Sequence, residues 1–141
     1  DAVGLTAVQL HGEEGPAFCA EARRRTGCKV IKAARVQSLA DIQGLMPFHT
    51  DYHLLDSHVP GQRGGTGKTF EWELARAHRG EARLILSGGL TAGNVGDAIV
   101  AVRPFAVDVA SGVEASPGRK DPDKLRAFAA AVRDSAAVPT G

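Results

Sequence analysis

Five short apolar runs recur along the chain, and their spacing constrains the fold more than any other feature. They are Ala7-Val8-Gln9-Leu10-His11, Val30-Ile31-Lys32-Ala33, His53-Leu54-Leu55-Asp56, Leu84-Ile85-Leu86-Ser87 and Ala106-Val107-Asp108-Val109-Ala110. Each has the length of a β-strand, and three are rich in Val or Ile. Their centres recur about every 22 to 30 residues, which is the length of a strand, a helix and two loops. Parallel βα units are therefore expected.

The gaps between the runs carry helix signals. Pro16 after Glu13 and Glu14 suits a first turn, and Arg23-Arg24-Arg25 before Gly27 suits a last turn with its C-cap. Ser38 with Asp41 resembles a capping box opening a short helix through Leu45. A further short helix is expected from Thr66 to Leu74, behind a glycine-rich loop. Between Asn94 and Val102 the residues Val95, Ile99 and Val102 form an amphipathic stripe. Asp121-Pro122 reads as N-cap and first position of a last helix whose apolar face is Leu125, Phe128 and Val132. The tail 135–141 is small and polar and is expected to be disordered, leaving 1–134 as one folded unit. The order β-α-β-α-β-loop-α-β-α-β-α fits both a doubly wound sheet and a (β/α)₈ barrel. Periodicity alone does not choose between them.

The 141 residues suffice for one domain with a core. A net charge of +1 gives no reason to expect a nucleic-acid or membrane partner. No apolar run approaches the roughly 18–20 residues that span a bilayer, and the opening Asp1-Ala2-Val3-Gly4 is not a secretory leader, so cytoplasmic residence is the default expectation. Cys19 and Cys28 match no zinc or redox spacing. Cys19 falls in a helical pattern beside Phe18 and Ala22 and reads as a packing residue, and no disulfide is expected. Because Met46 is the only methionine, residue 1 is not a natural initiation site, and a missing upstream segment is expected.

In a parallel α/β fold, ligands bind where the strands end, because loops and helix N-termini converge there. Here the strands end in His11-Gly12, Lys32, Asp56-Ser57-His58, Ser87-Gly88-Gly89 and Asp108 through Ser111-Gly112. Gly88-Gly89 and Ser111-Gly112 put small residues after consecutive strands, where glycine lets a phosphate approach backbone N–H groups with no Cβ in the way. One such turn would be read as a tight βα connection. Two on adjacent strands favour an anion site. Asp56, closing an apolar run, is partly desolvated, which suits it to hold a proton for general acid work; an Asx-turn or a cap accounts for it equally well. Asp108 is expected inside its strand, facing away from Val107 and Val109, where a buried carboxylate requires a partner or a substrate. His11 either touches a substrate or is a satisfied strand-end histidine. His49, His53, His58 and Arg63 make no metal-ligand pattern. The loop from Gly61 to Thr69 suggests a P-loop but fails on register, since Gln62 stands where a Walker motif needs glycine. A mobile loop beside an active site fits it better, with Lys68 either an anion contact or a solvated charge.

Taken together, these segments resemble one family. Val8-Gln9-Leu10-His11-Gly12, Leu55-Asp56, Gly64-Gly65-Thr66-Gly67-Lys68-Thr69-Phe70-Glu71-Trp72, Leu86-Ser87-Gly88-Gly89-Leu90 with Asn94-Val95, and Val107 through Glu114 with Pro117-Gly118 and Lys120-Asp121 are similar to phosphoribosylanthranilate isomerase, in its order and spacing. The resemblance covers essentially the whole chain, from the family's fourth strand to its last helix. It implies a (β/α)₈ (TIM) barrel, present here as a partial barrel of about five βα units. It also implies an Amadori rearrangement of N-(5-phosphoribosyl)anthranilate to the carboxyphenylamino-deoxyribulose 5-phosphate in tryptophan biosynthesis. By resemblance, Asp56 is the general acid that protonates the furanose ring oxygen. Gly88, Gly89, Ser111 and Gly112 grip the phosphate, and Asp108 and His11 contact the substrate. The resemblance implies a small phosphosugar as partner and no metal or organic cofactor. The family's general base is a cysteine in a Cys-Gly segment on its first strand, for which neither Cys19 nor Cys28 stands in. The chain alone is therefore expected to be inactive or nearly so. Two other readings stay open: another phosphate-binding barrel of tryptophan or histidine biosynthesis, and a non-catalytic partial barrel that self-associates through open sheet edges.

Overall fold

The structure is a computed structural model that describes residues 2–57 and 68–136, without the side chains of residues 68–71. Its order is β1 (Ala7–Leu10), α1 (Pro16–Thr26), β2 (Lys29–Arg35), α2 (Leu39–Gly44), β3 (Tyr52–Asp56), α3 (Lys68–Arg76), β4 (Arg83–Ser87), α4 (Val95–Val102) and β5 (Ala106–Val107). A 3₁₀ turn (Ser111–Val113), a small hairpin of β6 (Glu114–Ser116) with β7 (Arg119–Lys120), and α5 (Pro122–Ala136) follow. The hairpin is antiparallel and stands outside the main sheet. It was not expected, because its strands of three and two residues carry no apolar alternation.

Strand order settles what periodicity left open. The five strands run β1-β2-β3-β4-β5, all parallel and each beside its sequence neighbour. A doubly wound sheet reverses direction after its first strands, whereas a (β/α) barrel adds each strand next to the last. This sheet therefore has the barrel's winding. Among the described residues no strand joins β1 to β5, so the barrel is partial.

The core lies between the sheet and its helices. Leu55 and Leu86 are cross-strand partners and are each 1% exposed. They pack with Ile42 and Leu45 from the α2 region, Leu74 and Ala75 of α3, Val95 and Ala98 of α4, and Phe128 of α5. Strand alternation then turns Leu54 and Asp56 to the opposite side, where both line a broad cleft.

Local signals act as their chemistry dictates. Gly27 caps α1 in the left-handed conformation at φ 69°, its N–H donating to the Arg23 carbonyl. The Ser38 N–H donates to Asp41 Oδ2 and the Asp41 N–H returns to the Ser38 side chain, closing the capping box, and the Ser38 Oγ–H also reaches Asp41 Oδ2. Asp121 Oδ1 accepts the Asp123 N–H at 2.8 Å at the start of α5.

Three expectations about the elements are corrected. The fifth strand ends at Val107 rather than Ala110, because the chain turns into the 3₁₀ segment there. Leu125 is 43% exposed, since α5 packs on α4 and the 3₁₀ turn through Phe128 and leaves Leu125 to one side. Cys19 packs as expected at 2% exposed, while its neighbour Phe18 is 57% exposed. Ser135 and Ala136 are not tail but the last turn of α5, where Ser135 Oγ donates to the Ala131 carbonyl. Residues 137–141 and the loop 58–67 lie outside the described residues, as does the side chain of Lys68.

Candidate functional site

The C-terminal strand ends build the site from backbone register. Asp56 of β3 lies opposite Ser87 of β4. Asp108, one residue past β5, keeps step because its N–H donates to the Leu86 carbonyl at 2.9 Å. The three polar side chains therefore stand in one row across three neighbouring strands. Ser87 Oγ donates to Asp108 Oδ2 at 2.9 Å; Asp108 is exposed rather than buried inside a strand as expected, because β5 ends one residue before it. Asp56 is half-buried.

Above this row, the two glycine turns face each other across a cleft of about 150 Å³. It is lined by Asp56, Ser87, Gly88, Gly89, Leu90 and Asp108 through Gly112. Gly88 and Gly89 have φ of 95° and 66°, which only glycine adopts without strain. Gly112 is required by space instead: a Cβ there would collide with the Leu90 carbonyl, so the two turns touch backbone to backbone.

Two residues that sequence reasoning did not single out hold the first turn. Ser57, 7% exposed, donates through Oγ to the Ser87 carbonyl at 3.2 Å, and its own N–H reaches the same oxygen at 3.3 Å. Asn94 accepts the Thr91 N–H on Oδ1 and donates from Nδ2 to the Gly89 carbonyl at 3.0 Å. Sequence reading had Asn94 as a helix start and as part of the family motif, with no role of its own in the turn. A polar residue directly after an apolar strand was the one available signal for Ser57.

The broad cleft of about 900 Å³ adjoins this one and shares Asp56, Ser87 and Asp108 with it. Gln9, His11, Gly12 and Lys32 also line it. His11 is exposed at its rim. The structure thus brings Asp56, Gly88, Gly89, Asp108, Ser111 and Gly112 around one cleft and puts His11 on the neighbouring one. Cys19 and Cys28 are elsewhere. Cys19 is buried in α1, where desolvation pushes its thiol up, and Cys28 precedes β2 at the opposite strand end, its Sγ donating to the Leu5 carbonyl. No group of three His, Cys, Asp or Glu among the described residues is placed to hold a metal ion. No described helix is long and apolar enough to cross a membrane.

The arrangement offers an anion a floor of glycine backbone, and offers the rest of a ligand two carboxylates and a hydroxyl in a row. The sequence pattern of the family described as N-(5'phosphoribosyl)anthranilate (PRA) isomerase matches residues 1–131. An N-(5'-phosphoribosyl)anthranilate isomerase of Citrifermentans bemidjiense is 46% identical over 138 residues, which is 98% of this chain and 65% of that protein. The crystal structure of phosphoribosyl anthranilate isomerase from Thermotoga maritima superposes with a TM-score of 0.82 at 45% identity, over 94% of this chain and 63% of that one. A phosphoribosyl anthranilate isomerase in complex with reduced 1-(o-carboxyphenylamino)-1-deoxyribulose 5-phosphate superposes with a TM-score of 0.72 at 39% identity, over 94% and 61%. The chain thus spans less than two thirds of the length of each of these relatives. With its sequential parallel sheet and its paired glycine turns, the chain belongs to the N-(5'-phosphoribosyl)anthranilate isomerase family.

Proposed function

We propose that this chain carries the phosphate grip and the general acid of an isomerase of tryptophan biosynthesis, which rearranges N-(5-phosphoribosyl)anthranilate to 1-(2-carboxyphenylamino)-1-deoxyribulose 5-phosphate. The observation that carries the reading is the row Asp56, Ser87, Asp108 directly below the two glycine turns. The substrate phosphate sits on the amides of Gly88, Gly89, Ser111 and Gly112, where peptide dipoles and the lack of a Cβ at the three glycines favour an oxyanion. The sugar then extends over the row. Asp56 delivers a proton to the furanose oxygen as the ring opens, and the ring C–O electron pair leaves with that oxygen. Asp108, oriented by the Ser87 hydroxyl, accepts hydrogen bonds from the sugar, and His11 closes the rim.

The rearrangement also requires removal of the proton on the sugar C2′, by the cysteine that the family carries on its first strand. Buried Cys19 and remote Cys28 do not fill that role. The chain alone therefore binds but does not turn over. We further propose that the dissolved protein self-associates through β1 and β5, which have no further strand beside them among the described residues.

Titrating the ¹⁵N-labelled chain with inorganic phosphate and with the reduced product analogue tests the grip. Saturable shifts at the amides of Gly88, Gly89, Ser111 and Gly112 are expected with both. Shifts absent there, or concentrated elsewhere, would overturn it. In an anthranilate-fluorescence assay the chain is expected to show no turnover above background, and turnover near that of a full-length relative would refute the missing-base argument.

A further inference from the structure

Lys32 is the one lysine buried among the described residues, 5% exposed, and the proposed chemistry does not use it. Register places it beside Leu10, the last residue of β1. Its Nζ donates to the Gly12 carbonyl at 2.8 Å and to Glu14 Oε2 at 3.1 Å, and it stands 5.2 Å from the centre of the Phe48 ring. Glu14 Oε2 in turn accepts the Gly12 N–H at 2.9 Å. Both backbone groups of Gly12 are therefore bound by side chains. The Glu14 carboxyl is held below the usual range, first by its own backbone N–H and then by Lys32.

A buried ammonium is costly unless it is paired and hydrogen-bonded. Lys32 meets that requirement only while the turn after β1 stays folded over it. The same contacts thus fix the turn, which follows an edge strand and has no neighbour beyond β1 within the described sheet. That turn carries His11, and His11 and Lys32 line one cleft with Asp56 and Asp108.

We propose that Lys32 is a positioning residue for the substrate cleft. Through the Gly12 carbonyl and Glu14 it sets where the His11 imidazole stands across from Asp56 and Asp108. The inference rests on the isomerase reading for its purpose, but its geometry can be tested without ligand.

The experiment is NMR on the 141-residue chain and its variants Lys32→Met, Lys32→Arg and Glu14→Gln. In the ligand-free chain the Gly12 and Glu13 amides are expected to be ordered, and in Lys32→Met to fall to order parameters below about 0.6, the range of flexible backbone. With the reduced product analogue, the His11 ring signals are expected to shift in the wild type and to lose that response in Lys32→Met. Inorganic phosphate should still move Gly88, Gly89, Ser111 and Gly112 as before. Glu14→Gln is expected to weaken the His11 response in the same direction, and Lys32→Arg to restore it in part. A merely structural lysine would change stability without this selective loss at His11. If Lys32→Met does not fold, Glu14→Gln decides: an unchanged turn and an unchanged His11 response overturn the proposal. If the wild type responds to neither ligand, the isomerase reading fails, and the ligand-free order parameters still judge Lys32.

Discussion

His53 and His78 show how much a single residue's setting decides. His53 is 2% exposed, and its Nε2–H donates to the Phe48 carbonyl at 2.7 Å, which leaves Nδ1 to accept from His78 Nε2–H at 2.9 Å. Burial is the largest influence on both rings and lowers both below the ordinary 6.5. The folded protein thus binds fewer protons here than the unfolded chain. The stability of the pair is complete above about pH 6.5 and is lost as the pH falls from there through the folded values. The urea midpoint is expected to drop between pH 7.5 and pH 5.5, a window above the range where carboxylates titrate. A His78→Gln variant should show a smaller drop, and equal drops would refute the assignment. At the cleft, Gly112→Ala drives a Cβ into the Leu90 carbonyl and parts the two glycine turns. Inorganic phosphate binding is expected to weaken at least about tenfold, the loss of roughly 1.4 kcal/mol, read by the same amide titration. The residue types at the cleft were legible in sequence. The His pair was not, because residues 25 apart meet only in the fold.

At the scale of elements, caps and turns followed local chemistry. The capping box of α2 gathers the N–H groups of Gln37 and Ser38 and the Ser38 hydroxyl on one Asp41 oxygen. Those bonds, the Gln37 N–H first, hold the Asp41 carboxyl below its usual range. Replacing Asp41 with Ala is expected to cost about 1 kcal/mol, as lost N-terminal caps do, measured as a lower urea midpoint at pH 7. No change would mean that the tertiary contacts of Ile42 and Leu45 alone hold the helix. Five apolar runs predicted five strands because a strand of four to seven residues is specified by its own sequence. The fifth run was overextended, since Val109 and Ala110 are apolar enough for a strand but leave it to form the wall of the cleft. The hairpin β6–β7 was invisible for the opposite reason: its strands of three and two residues carry no apolar pattern, and the Glu114–Lys120 pair at 3.4 Å joins residues that meet only once it has formed.

For the whole molecule, the decisive property is a sheet that does not close among the described residues. Val3, Leu5, Phe105 and Val100 are each more than half exposed, and β1 and β5 are edges. Apolar surface next to unpaired strand edges favours association. Sedimentation velocity is expected to show a weight-average mass that rises with concentration above the 14.7 kDa of one chain. A constant monomer mass would sink the edge-pairing reading. The alternation of strands and helices, the caps, and the residues that end the strands follow from the amino-acid order alone, because each depends on neighbours a few positions away. The sequence also carried enough motifs in order to point to the family. The sequential winding of the strands, and the single row of Asp56, Ser87 and Asp108 with Ser57, Asn94 and Lys32 supporting the loops around it, emerge only once the chain is folded. Those facts depend on cross-strand register and on hydrogen bonds between distant residues, which no local pattern encodes.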